Sequence, residues 1–206
     1  DGLKETVSLK NIKEEAYDYF KFTHLENTFR DFEREGLMPE KLSSEGPALV
    51  KADFNGDGLE DLFIGGAKYQ SPSLFMGKGN GEFQEDKTSV IRKDIIYEDV
   101  DATAFDMEND GDLDIYVMSG GNELVEGNPN LEDRIYVNDG NGKFERLQSP
   151  LIKTNGGSVS AADFDGNGYD DLFIGNRSMP GGYGLSPFSY ILKNDGTGKF
   201  AVLQQE

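Results

Sequence analysis

Asp53-Phe54-Asn55-Gly56-Asp57-Gly58-Leu59-Glu60-Asp61, continued by Leu62-Phe63-Ile64-Gly65, decides the fold because the chain repeats it twice more. The second copy is Asp106-Met107-Glu108-Asn109-Asp110-Gly111-Asp112-Leu113-Asp114, followed by Ile115-Tyr116-Val117. The third is Asp163-Phe164-Asp165-Gly166-Asn167-Gly168-Tyr169-Asp170-Asp171, followed by Leu172-Phe173-Ile174-Gly175. The copies start 53 and 57 residues apart. A fixed period of this size is the mark of a repeat architecture.

Behind each loop a second element recurs. Leu74-Phe75-Met76 leads through Asn80-Gly81 to Phe83, Ile135-Tyr136-Val137 through Asn141-Gly142 to Phe144, and Ile191-Leu192-Lys193 through Thr197-Gly198 to Phe200. An apolar run, a turn ending in Asn-Gly and a returning aromatic form a β-hairpin signal. Each repeat therefore holds about four short strands, in the first near 47–54, 61–67, 73–77 and 82–86. The strand after each loop is apolar on successive residues, as expected of a strand buried on both faces. Four strands per unit, repeated, describe a propeller blade. A parallel β-helix fits less well, because its repeats are shorter and lack an internal hairpin. The glycine-spaced turns lead into strands rather than helices, so they are not a dinucleotide fingerprint.

The loops point to a hard cation. Calcium takes six to eight oxygen ligands, often from alternate positions of a tight loop. Positions 1, 3 and 5 supply Asp53, Asn55 and Asp57, then Asp106, Glu108 and Asp110, then Asp163, Asp165 and Asn167. Position 6 is glycine each time, where the chain must turn at positive φ. The main-chain carbonyl of position 7 (Leu59, Asp112, Tyr169) and the carboxylate of position 9 (Asp61, Asp114, Asp171) would complete the shell. Three Ca²⁺ sites are expected. An EF-hand opens the same way but needs a Glu at position 12 and flanking helices; here position 12 is Ile64, Val117 and Ile174 in β-rich runs.

Composition agrees with this reading. Thirty-nine acidic residues against twenty basic ones leave a net charge of −19, which disfavours nucleic acid and anionic membranes. Glycine, 26 of 206 residues against an average of about 7%, signals many tight turns. No run of apolar residues is long enough to insert in a membrane. No apolar segment follows a basic start, so a secretory signal is expected to be absent or already removed. With no cysteine, disulfides, thiol nucleophiles and thiolate metal sites are excluded.

These loops and strands resemble the FG-GAP/VCBS repeat family, whose blades also occur in integrin α-chain propellers; the likeness spans about 46–200. It implies an all-β fold of three four-stranded antiparallel repeats, about 46–100, 101–157 and 158–206, within a larger propeller. It also implies calcium ligation by the loop residues above, Glu108 departing from the usual Asp or Asn. His24, Glu26, Asn27, Asp31, Phe32 and the stretch Gly46-Pro47-Ala48 look like the lead-in of a bacterial ASPIC/UnbV-associated subgroup of secreted or surface proteins. Residues 1–45 lack the loop motif and are read as that lead-in or a degenerate blade, with 11–20 open to helix or strand. Three repeats do not close a ring, so further blades or self-association are expected.

The resulting expectation is a calcium-binding propeller module, secreted, periplasmic or on a bacterial cell surface, that binds a protein or glycan partner. The alternative is part of a secreted polysaccharide-acting enzyme. No catalytic spacing supports that: His24 reads as a packing or hydrogen-bonding residue, and Glu26, Glu123, Glu126, Arg134 and Arg177 read as surface charges. The loop from Gly120 to Asp133 and the insert around Tyr183 and Phe188 are the longest departures from the repeat, and such loops favour binding residues.

Overall fold

Gly58, Gly111 and Gly168, at position 6 of the three loops, adopt φ of 82°, 95° and 91°. A residue with a Cβ would meet a penalty there of about 1–2 kcal/mol. Position 4 is left-handed as well, at Gly56, Asn109 and Gly166. Two left-handed steps reverse the chain within nine residues, and each loop thereby joins two antiparallel strands.

The structure, a computed structural model, describes residues 21–148 and 151–205. The first sheet consists of β1 (Leu49–Ala52), β2 (Asp61–Ile64), β3 (Ser73–Gly79) and β4 (Glu82–Glu85). The second consists of β5 (Asp99–Phe105), β6 (Asp114–Ser119), β7 (Arg134–Asn138) and β8 (Phe144–Arg146). The third consists of β9 (Asn155–Ala162), β10 (Asp171–Ser178), β11 (Ser189–Asn194) and β12 (Phe200–Gln205). Every sheet is an antiparallel meander in chain order, with β1 beside β5 and β5 beside β9. These are propeller blades set side by side, each acidic loop joining the first and second strands of its blade.

Two apolar layers hold the blades together. Val50, Phe54, Phe63 and Leu74 of the first blade pack on Ala102, Ile115, Val117, Tyr136 and Phe144 of the second. The other face of the second blade, with Phe105, Met107, Tyr116 and Ile135, packs on Val159, Leu172, Ile174 and Leu192 of the third. Every residue of β6 is buried because it lies between both layers. The expectation of burial on both faces fails for β10. Phe173 is 38% exposed and lies outside the apolar layer between the second and third blades.

The helix-or-strand reading of 11–20 lies outside the described residues. From residue 21 the lead-in crosses the end of the blades opposite the acidic loops. It contains one short helix, α1 (Asp31–Arg34). Asp31, fully buried, accepts hydrogen bonds from Ser43 (2.5 Å) and from the Asn122 amide of the second blade (2.9 Å). Arg34 donates to the carbonyls of Asn122 and Leu124, and Arg177 of the third blade pairs with Glu40 and Glu45.

Candidate metal centre

The three loops share one internal scaffold. The carboxylate at position 1 accepts main-chain N–H bonds from positions 5 and 6: Asp53 from Asp57 and Gly58, Asp106 from Asp110 and Gly111, Asp163 from Asn167 and Gly168. Position 5 in turn accepts from position 7, where Leu59, Asp112 and Tyr169 donate to Asp57, Asp110 and Asn167. These bonds curl each loop around its position 1 carboxylate.

Position 9 does more than its spacing suggested. Asp61, Asp114 and Asp171 are fully buried at the start of the second strand. One oxygen of each accepts the N–H of loop position 2, from Phe54, Met107 and Phe164. The other accepts an N–H from the end of the third strand, at Gly77, Asn138 and Asn194. Each carboxylate thus pins its loop to its sheet. A carboxylate oxygen has two lone pairs, so this clamp leaves acceptor capacity facing the loop.

The loops differ in how far their acids converge. In the third, ligand atoms of Asp163, Asp165 and Asp171 all lie within 4.8 Å of one another, the one such carboxylate group among the described residues. Lys193 offsets part of this charge by pairing with Asp165 at 2.5 Å. In the first, Asn55 donates to Asp57 at 3.1 Å. In the second, the longer Glu108 at position 3 shares a crowded acidic environment with Asp110, Asp112 and Asp114. Glu108 Oε2 and Asp112 Oδ1 are buried there without a hydrogen-bond partner. Burial and the neighbouring carboxylates push Asp114 up to about 7 and Asp112 up to about 6, and raise Glu108 as well. Crowded acids, orphaned oxygens and a donor set made only of oxygen suit a hard cation.

The other candidate residues make structural contacts. The surface reading fails for Arg134, which is fully buried because it pairs with buried Asp99 at 2.5 Å and lies over the Tyr97 ring at 4.1 Å. Glu123 pairs with Lys68 at 2.8 Å, His24 lies 2.7 Å from Glu26, and Glu126 is exposed. Tyr183 and Phe188 are exposed, and the Tyr183 N–H donates to Glu35 of the lead-in.

Two contacts had no signal in the loop pattern. Glu98, buried before β5, accepts from Asn27, and burial beside Glu123 and Glu26 raises its pKa to about 8. The amides of Asn138 and Asn194 reach the preceding blade, donating to the carbonyls of Phe54 and Met107 at 2.7 and 2.8 Å. Their recurrence at the end of the third strand was visible in the sequence, but their partners were not.

The FG-GAP-like repeat profile matches residues 53–117 and 119–174, and the FG-GAP repeat profile matches 155–203. Integrin alpha-4 of Xenopus laevis is 32% identical over 151 residues, 63% of this chain and 14% of that protein. The chain thus spans a small part of that relative. A structure titled putative exo-beta-1,3-galactanase from Bifidobacterium bifidum s17 aligns at a TM-score of 0.42 and 11% identity, over 77% of this chain and 51% of that one. Among the described residues no helix is long and apolar enough to cross a membrane. With profile matches over more than half its length, falling on the loops and strands that build the three blades, the chain belongs to the FG-GAP repeat family.

Proposed function

We propose that this chain is a calcium-binding propeller module that serves as a binding or scaffold domain outside the cell, with a protein or glycan as its partner. The observation that carries the calcium reading is the convergence of Asp163, Asp165 and Asp171 within 4.8 Å on a loop whose backbone is already closed by hydrogen bonds. Asn167 and the Tyr169 carbonyl complete that donor set, and the corresponding residues of the other two loops form sites of the same kind. Bound calcium neutralises the loop carboxylates. The chain's own residues do the remaining work: position 1 curls the loop, and position 9 ties it to the sheet.

The partner site belongs at the opposite end of the blades. The connections between second and third strands emerge there, and Tyr69, Tyr183, Leu185 and Phe188 are exposed on them. The lead-in buttresses these connections through Arg34 and Glu35, and its Glu45 pairs with Arg177 at the end of β10. This reading assigns the chain no catalytic step. It places the protein, like the bacterial subgroup its lead-in resembles, in a secreted, periplasmic or surface setting where calcium is plentiful. Glycan and protein arrays probed with the chain and with Tyr183→Ala test it. A ligand whose signal falls in the variant supports the reading, and no ligand on either array, or turnover of a bound polysaccharide, overturns it.

A further inference from the structure

One position of the third strand stands beside each acidic loop. Leu62–Phe75, Ile115–Tyr136 and Leu172–Leu192 are matching cross-strand pairs. The next residue along β3, β7 and β11 is Met76, Val137 and Lys193. In the first two blades this residue is apolar and lies near loop position 3. A Cβ at Gly142 would meet both Met76 and Asn55, at 2.6 and 3.4 Å, and Val137 lines one cavity with Glu108. In the third blade the same place holds a cation. Lys193 Nζ lies 2.5 Å from Asp165 Oδ2, at loop position 3, and the Asp171 charge also acts on it.

The first and third loops isolate what this lysine does. Each offers three carboxylates and one asparagine as side-chain donors: Asp53, Asn55, Asp57 and Asp61 in the first, Asp163, Asp165, Asn167 and Asp171 in the third. In the first, Lys51 pairs with Glu60 at position 8, outside the donor set. The third therefore sets an ammonium where the first sets a thioether. Calcium affinity in acidic loops is tuned by ligand charge count and rigidity. An ammonium lowers the effective charge of the donor set, and it occupies acceptor capacity of Asp165 that an ion would use.

We infer that Lys193 is a built-in competitor for calcium, which makes the third loop the last of the three to fill. This inference rests on the reading of the loops as calcium sites. The Lys193 and Asp165 side chains are 37% and 30% exposed, so water screens the pair and the penalty is moderate. A positive charge left beside a bound dication at a screened site corresponds to an affinity loss of about three- to tenfold. Without the ion, the same ammonium relieves repulsion among Asp163, Asp165 and Asp171. Lys193 thus acts in opposite directions on the empty and the filled loop.

The test is calcium titration by isothermal calorimetry of the parent, of Lys193→Met, which copies Met76, and of Lys193→Arg, which keeps the charge. Asp163→Ala should remove the weakest binding event of the parent, assigning it to the third loop. Lys193→Met should tighten that event by about three- to tenfold, and high salt should narrow the difference. Lys193→Arg should leave it weak, and Lys51→Met should change no event. Thermal melts should shift both ways: relative to the parent, the methionine variant melts lower in EDTA and higher in calcium. The inference is wrong if Lys193→Met leaves the weakest event unchanged, if Lys193→Arg tightens it as much, or if Asp163→Ala removes a tighter one. Each of these results leaves the calcium reading standing. No bound calcium in parent or variants would overturn that reading and this inference together.

Discussion

The side-chain amide of Asn138 donates a 2.7 Å hydrogen bond to the main-chain carbonyl of Phe54, linking the third strand of one blade to the acidic loop of the blade before it. The backbone N–H of the same Asn138 donates to Asp114, which clamps the second loop. One residue therefore ties together two consecutive loops. Asn194 repeats the arrangement with Met107 and Asp171. Stability of one loop is in this way coupled to the packing of the next blade.

Asn194→Ala should expose that coupling. It removes the donor to two carbonyls, Met107 and Asp170, at a buried position. Leaving a buried acceptor unpaired costs about 1–3 kcal/mol. Urea unfolding should show a loss of that size, with the cation affinity of the second loop weakened as its backbone loosens.

Equivalent loop residues should differ sharply in what their truncation does. Phe54 is buried and meets the Phe144 ring edge-on at 5.5 Å. Phe54→Ala should cost about 3–5 kcal/mol, as expected for a large buried aromatic. Phe164→Ala, at the same place in the third loop but half exposed, should cost less than about 1 kcal/mol. Denaturant midpoints of the two variants, measured side by side, check this contrast.

Glu98 should make stability fall as pH rises. Burial, with Glu123 and Glu26 close by, raises its pKa to about 8 from an unfolded value of 4.5. The folded chain therefore holds a proton that the unfolded chain releases. The associated stability is complete below about pH 4.5 and is lost as pH climbs through about 8. Glu98→Gln cannot ionise, so its stability relative to the parent should grow steadily across that window. Chemical unfolding of both proteins at matched pH values reads the difference; parallel curves would contradict the assignment to Glu98.

Much of this was legible in the sequence because it is local. Positive φ at Gly58, Gly111 and Gly168, the hairpins and the four-strand blades follow from turn chemistry and apolar runs within one repeat. What escaped was long-range. The Asn138–Phe54 bond spans 84 residues, and no spacing rule connects a hairpin asparagine to a loop carbonyl in another repeat. The exposure of Phe173 escaped for a related reason: its sequence matches that of a strand buried on both faces, and only the neighbouring blades decide whether the second face is covered. Position 9 shows the limit within the site itself. Spacing marks Asp61, Asp114 and Asp171 as ligands, yet each oxygen also accepts a backbone N–H, which only the folded sheet reveals.

The central claim is that the three loops hold calcium only in the folded chain. Binding then stabilises the fold by about 1.4 kcal/mol per site at ten times Kd, and about 4 kcal/mol for three independent sites. Magnesium, which demands a smaller octahedral shell, should substitute poorly. The most direct measurement is calcium titration by isothermal calorimetry, with native mass spectrometry counting the ions and thermal melts recorded in calcium and in EDTA. The account predicts three bound ions, a melting midpoint lowered by EDTA and restored by calcium, and two ions in Asp163→Ala. No bound ions, or a midpoint indifferent to calcium, would contradict it.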